Sequence, residues 1–354
     1  MSKYNFIDCF CGAGGLSLGL INAGFEPIFS FDNDINCVET QKNNPKYFKH
    51  PILCSPIEKI LSEKIRPLEN LKDNQLFLLA GGPPCQGFSI QRIGEDNDER
   101  NTLVIKFISL AKKLKPKFIL FENVAGITGR RGEKILETAL NELKRLGYFP
   151  HCKLLNAQDF GVPQRRKRFF IIAEFLSGKG PVFEFPKPAV RTKRTVRDVI
   201  EYLPPPPEDG SEHPDIVHHR RDKLSEINLR RLMALKQGQG RDHLPKQLLA
   251  ECHMRNSALI GHRNVYGRMA WDDVAPTITA RFDSFTRGQF GHPEQHRSIT
   301  LREGALLQTF PGDFVFSGNK VDVARQIGNA VPPKLAAVLG NQLKKCYESS
   351  KSRI

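Results

Sequence analysis

Three clusters of residues in this chain combine types that can do chemistry. Gly81-Gly82-Pro83-Pro84-Cys85-Gln86-Gly87-Phe88-Ser89 follows the apolar run 76–80 directly. Ligands of open α/β sheets bind at the carboxyl ends of strands, so a cysteine held there among turn-forming residues is in the position of a nucleophile. A buried thiol acting as a small hydrophobe is the plainer alternative, but it does not suit flanks of glycine and proline. The second apolar run, 118–121, ends in Glu122-Asn123-Val124. A carboxylate at the end of such a strand is costly to bury unless it is paired or used. The third cluster, Gln164-Arg165-Arg166-Lys167-Arg168, leads into another apolar strand. Charge runs often face solvent, yet guanidinium groups at the mouth of a strand can also hold a carbonyl oxygen or a phosphate.

Near the amino terminus, Phe10 leads into Cys11-Gly12-Ala13-Gly14-Gly15 and then a helical pattern. Glycines at a strand-to-helix turn let a ligand approach the backbone closely. The dinucleotide fingerprint requires a third glycine where Ser17 stands, so a nicotinamide cofactor is disfavoured and an adenosine cofactor without a pyrophosphate stays open. Asp32, about 20 residues further on at the end of the next apolar run, is placed to bind ribose hydroxyls. A purely structural turn would explain the glycines equally well.

These residues need a frame. Apolar runs at 5–10, 27–31, 76–80, 118–121 and 169–173 alternate with helical periodicity, as in Leu103, Phe107, Leu110, Ala111 and Leu114, or Ile135, Leu136, Ala139, Leu140, Leu143 and Leu146. The pattern predicts a doubly wound α/β sheet. Residues 187–268 are loop-rich and polar and hold the proline run 204–207 and six of the ten histidines. Helical periodicity returns at 300–310 and 331–343, the latter opening on Pro332 and Pro333. The expected organisation is a first domain that opens the chain, a separate polar module after Phe185, and a return of the chain to complete the first domain.

Composition narrows the function classes. With 354 residues, 40% hydrophobic and 26% charged, the chain is an ordinary globular sequence, and no apolar run approaches the length of a membrane span. The amino terminus lacks a signal-peptide pattern, so a cytoplasmic protein is expected. Eight cysteines without a Cys-x-x-Cys pair argue against a disulfide framework and against a zinc site, and no metal is expected. A formal net charge of +15 points to a polyanionic partner, nucleic acid first.

Taken together, the motifs resemble those of the DNA (cytosine-5) methyltransferases, in the expected order over nearly the whole chain. Residues 6–19 resemble the family's first S-adenosylmethionine motif, 81–89 its Pro-Cys loop, 121–124 its Glu-Asn-Val motif, 164–168 its Gln-Arg-x-Arg-x-Arg element, and 297–303 and 328–333 its last two motifs. The resemblance implies a Rossmann-like methyltransferase sheet, a catalytic domain from 1–174 and 297–354 with a smaller target-recognition domain from 175–296, and a role for each residue. Cys85 would add to carbon 6 of a target cytosine. Glu122 would serve ring nitrogen 3, and Arg166 and Arg168 the cytosine oxygen. Asn123, Gln86 and Ser89 would place the base and close the loop over it, with Thr277 fixing the backbone beside it. Phe10, Gly12, Gly14, Gly15, Asp32, Leu103, Asn329 and Ala330 would line the S-adenosylmethionine pocket.

Two positions depart from the family pattern. Asn33 follows Asp32 where an aromatic residue is common, and 53–57 read Leu-Cys-Ser-Pro-Ile where an aspartate for the adenine amino group is usual. The adenine contact is therefore left unassigned. The implied partner is double-stranded DNA, bound by a monomer that is paired in function with a restriction endonuclease, within a bacterial cell and close to its nucleoid. The competing readings are an RNA cytosine-5 methyltransferase of the same fold and a catalytically inactive DNA-binding relative. Arg230, Arg231, Arg241, Arg255, Arg263 and Arg268 are the candidates for reading guanines.

Overall fold

A computed structural model describes residues 3–69, 71, 75–84, 101–176, 182–188, 192–254 and 265–351. Cys85, Gln86 and Ser89 lie outside the described residues, as do Arg255 and Arg263.

The strands are β1 (Asn5–Cys9), β2 (Glu26–Asp32), β3 (Ile52–Cys54), β4 (Leu78–Gly81), β5 (Phe118–Val124), β6 (Tyr148–Asn156) and β7 (Lys167–Phe175). They form one seven-stranded sheet in the order β3-β2-β1-β4-β5-β7-β6. The first five strands pair in parallel, and β7 runs antiparallel to both β5 and β6. All five residues of β1 are buried, as expected of a central strand covered on both faces. The sheet is thus the expected doubly wound type with an antiparallel edge.

Strands β3 and β6 were not anticipated. The former has three residues and no readable periodicity. The latter carries Pro150 and exposes Phe149 and Leu154, features that an edge strand tolerates and a central one does not. Strand β1 also stops one residue early, because Phe10 takes a left-handed conformation (φ 57°) that turns the chain out of the sheet.

Helices α1 (Gly15–Asn22), α2 (Ile35–Lys42), α3 (Ile57–Ser62), α4 (Arg66–Glu69), α5 (Asn101–Leu114) and α6 (Glu133–Arg145) accompany the sheet. Val104, Phe107, Leu110 and Ala111 of α5 are fully buried in its core. Arg197–Ile200 (α7), Glu226–Met233 (α8), Glu251–Met254 (α9), Leu301–Leu307 (α10), Lys320–Asn329 (α11) and Pro333–Lys351 (α12) follow. A β-carbon on Gly19 of α1 would stand 2.3 Å from the Pro333 carbonyl oxygen and 2.4 Å from Ala336 Cβ. Helix α12 can therefore lie against α1 only because position 19 has no side chain.

The chain packs into two compact units. One takes in Met1–Phe160, Lys167–Ala189 and Val331–Ile354, the other Gly161–Arg166 and Val190–Ala330. Residues 297–330, grouped above with the catalytic part, belong by contact to the second unit. Among its described residues that unit has short helices and turns but no strand of the sheet. It is tied together by buried arginines. Arg268 donates to the carbonyls of Leu232, Leu235, His292 and Gln295 at 2.7–3.0 Å, and Arg302 to those of Val217, Pro311 and Phe314 at 2.8–3.3 Å. Arg297 grips Glu303 through two bonds of 2.8 and 2.7 Å, while Glu303 and Thr300 cap α10 reciprocally. In a unit with little regular structure, such hydrogen bonds to a charged group satisfy carbonyls that would otherwise be buried unpaired.

Candidate active site

The glycine turn is held from within. The Gly12 amide donates to Asp32 Oδ2 at 2.8 Å and the Gly14 amide to the Cys11 carbonyl at 2.9 Å. The Gly12 and Gly14 amides therefore serve the loop. What the loop offers instead is space: Gly12 is left-handed (φ 53°), and a β-carbon there would meet nothing within 4 Å. That open flank fits a cofactor lying against the backbone.

Asp32 also accepts from the Asp34 amide at 2.9 Å through Oδ1. A carboxylate has about four acceptor sites, so both oxygens keep capacity for ribose hydroxyls. Burial raises the Asp32 carboxyl above its usual range, opposed by the amides of Asp34 and Gly12. The Phe10 ring lies 6.0 Å from that of Phe31, and Leu103 on α5 is half-buried against the main core. Gly15 opens α1 immediately after Gly14.

Sequence reasoning passed over Asp8, in the middle of β1. It is 1% exposed, and its Oδ2 accepts from the Ser17 hydroxyl at 2.6 Å, while Oδ1 has no partner among the described residues. Burial pushes its carboxyl up to about 7 against the opposing Ser17 bond. A lone acidic residue within an otherwise apolar run was the available signal.

The carboxylate site is built by strand register. In the antiparallel pairing of β5 with β7, Val124 faces Arg168 and Glu122 faces Phe170. Side chains two residues apart share a face, so Arg168 lies diagonal to Glu122, whereas Lys167 points the other way. The Arg168 Nε stands 3.0 Å from Glu122 Oε1, and both side chains are nearly buried, at 13% and 11% exposure. Burial draws the Arg168 guanidinium below its ordinary value, with Glu122 opposing. Gly82 at the end of β4 makes room: a β-carbon there would stand 2.9 Å from Glu122 Oε2. Asn123 donates through Nδ2 to the Pro83 carbonyl at 3.2 Å and so holds the segment that leads to Cys85.

The other assigned residues sit in the second unit. Arg166 is fully buried, and its guanidinium donates to the carbonyls of Ile278, Gly328 and Ala330 at 2.8–2.9 Å. The Thr277 hydroxyl donates to the Arg165 carbonyl. Asn329 ends α11 exposed, and the Ala330 carbonyl accepts from Gln308 at 3.1 Å as well as from Arg166. Of the guanine-reading candidates, Arg231, Arg241 and Arg268 are buried. Arg231 donates to the Leu248 carbonyl at 2.7 Å and lies over the Tyr266 ring. A charge fixed beneath the surface by backbone partners is poorly placed to reach a base edge, which argues against Arg231 and Arg268 as readers; Arg241 is buried beside Asp242, and Arg230 is exposed. No cluster of metal-ligating side chains occurs among the described residues, nor a helix long and apolar enough to cross a membrane.

A Type II methylase of Herpetosiphon aurantiacus, M.HgiDII, is 38% identical over 98% of this chain and 97% of its own length. A Type II methyltransferase of Haemophilus parahaemolyticus is 34% identical over 98% of this chain and 90% of its own. The fold is shared with the Entamoeba histolytica methyltransferase EhMeth, at a TM-score of 0.60 and 17% identity, covering 98% of this chain and 99% of that one. Residues 4–345 match the C-5 cytosine-specific DNA methylases, and the chain belongs to that family as a DNA (cytosine-5) methyltransferase.

Proposed function

We propose that the protein is the modification enzyme of a Type II restriction-modification system and methylates carbon 5 of one cytosine within a specific duplex sequence. The observation that carries the chemistry is the buried Glu122–Arg168 pair beside Gly82 and Pro83, at the strand edge from which the chain runs to Cys85. A stacked cytosine cannot meet a thiol in a protein cleft, so the base leaves the helix. The Cys85 thiolate then forms a bond to carbon 6, which places an electron pair at carbon 5. Glu122 supplies a proton or hydrogen bond to ring nitrogen 3, and Arg168 orients Glu122 and takes the cytosine oxygen. Arg166 has three carbonyl partners, so we assign it to holding the segments that carry Ile278 and Gly328–Ala330.

S-Adenosylmethionine, when bound, supplies an electrophilic methyl group to carbon 5. Phe10, Gly12, Gly14, Gly15, Asp32 and Leu103 would hold it from the first unit. Loss of the carbon 5 proton to a base then expels the Cys85 thiolate and restores the ring. Thr277 and the exposed basic residues of the second unit, Arg230 among them, contact the duplex.

A duplex carrying 5-fluorocytosine at the target tests this reading. Fluorine cannot leave as a cation, so the enzyme should remain covalently attached through Cys85 and survive denaturing electrophoresis. The adduct should require S-adenosylmethionine and disappear in Cys85→Ala. Trapping on RNA alone would favour the RNA-modifying reading, and an adduct that persists in Cys85→Ala would remove Cys85 as nucleophile.

A further inference from the structure

Gln41, on α2, is fully buried although it is polar. Its amide nitrogen donates to the Gly12 carbonyl at 2.8 Å and lies 3.0 Å from Cys11 Sγ. Its amide oxygen accepts from the Ser30 hydroxyl at 3.3 Å, and Ser30 Oγ is 3.0 Å from His50 Nε2. The Gly12 carbonyl can only accept, so the nitrogen of Gln41 faces it and the oxygen faces Ser30. Ser30 has one hydroxyl hydrogen; with that hydrogen given to Gln41, the bond to His50 takes its hydrogen from Nε2, and the bare ring nitrogen is Nδ1. That nitrogen is the one without a partner among the described residues. His50, Ser30 and Gln41 thus form a one-way chain of donors that ends on the carbonyl of Gly12.

Gly12 is held on both sides, its amide by Asp32 and its carbonyl by Gln41, in a left-handed conformation whose outer flank is open. Packing enforces the arrangement. A β-carbon on Gly14 would stand 3.0 Å from Gln41 Cγ and Cδ and 2.6 Å from Phe48 Cζ, so α2 abuts the loop closely enough for a short-range clamp. An apolar side chain at position 41 would fill the same space but leave the Gly12 carbonyl unpaired.

We propose that Gln41 is a positioning residue for the methyl donor, oriented by Ser30 and His50, that holds the Gly12 turn in its binding conformation. The inference rests on the reading of this turn as the S-adenosylmethionine site. Calorimetric titration of the full chain with S-adenosylhomocysteine tests it directly. Gln41→Leu should bind roughly ten-fold more weakly, and Ser30→Ala, which only frees the amide to turn, about three-fold more weakly. The double variant should bind no worse than Gln41→Leu alone, because without the amide Ser30 has nothing to orient. In turnover the loss should fall on KM for S-adenosylmethionine, with kcat at saturation and cofactor-free affinity for duplex DNA retained. An unchanged constant in Gln41→Leu and Ser30→Ala, independent additive losses, or a loss confined to kcat would each overturn the role of Gln41. If the wild-type chain bound no S-adenosylhomocysteine, the cofactor assignment itself would fall, and this inference with it.

Discussion

Replacing Arg168 by methionine removes the cation beside Glu122 while keeping most of the side-chain volume. At 3.0 Å and an effective dielectric constant of about 20, the pair attracts by roughly 5 kcal/mol. Part of that offsets the cost of burying both groups, so the pair contributes less than its Coulomb energy. Breaking it is another matter, because the Glu122 carboxylate would then be left 11% exposed without its cation. Loss of one partner of a buried pair costs about 3–5 kcal/mol, whereas replacing both by neutral groups of similar size is often nearly neutral. Arg168→Met should therefore destabilise the first unit by about 3 kcal/mol, and adding Glu122→Gln should recover at least half of that. Urea titration of all four members of the cycle measures this, monitored by fluorescence and far-ultraviolet dichroism so that unfolding of one unit is not mistaken for the whole. A loss below about 1 kcal/mol in Arg168→Met, or simple additivity in the double variant, would show that the two charges are not coupled as the geometry requires.

Two further perturbations test buried groups that the activity does not report. The Asp8 carboxyl has a folded value of about 7 against an ordinary 3.8, so the fold favours its protonated form; its contribution is most favourable below about pH 4 and declines as pH rises toward 7. Asp8→Asn should accordingly show a smaller fall in thermal midpoint between pH 5 and pH 8 than the wild type, whatever its absolute stability, and parallel profiles would refute the shift. Arg268→Met should lower the unfolding midpoint of the second unit by several degrees, because four buried carbonyls lose their donor, while Arg230→Ala on the surface should leave it unchanged. A folded Arg268→Met protein with altered sequence preference would instead make Arg268 a base reader.

The chemistry proposed for this protein is legible in the chain because it rests on residue types at strand ends. Glycines and prolines before Cys85, an acid closing the run at Phe121, and an acid closing the run at Phe31 are the features on which the proposed site rests, and each is read without reference to anything distant in sequence. Five strands were legible for the same local reason, as continuous apolar runs buried on both faces. Strand β3 is too short to show a period, and β6 lies at the edge, where exposure and Pro150 are tolerated and the usual signal is lost.

Pairing was not legible, because it depends on register between segments far apart in the chain. Arg166 and Arg168 are two residues apart in one basic run, yet Arg168 lies inside β7 on the face of Glu122, while Arg166 precedes the strand and binds three carbonyls of the second unit. Net charge counted Arg268 with the cations available to DNA, although the fold buries it against four carbonyls. In the same way Gln41 reads as a polar residue on a helix until α2 abuts Gly14 and turns its amide onto Gly12. Local sequence determines which groups can react or ionise, but the partner that each one meets depends on packing across the fold, and a buried polar group takes its energy and its role from that partner.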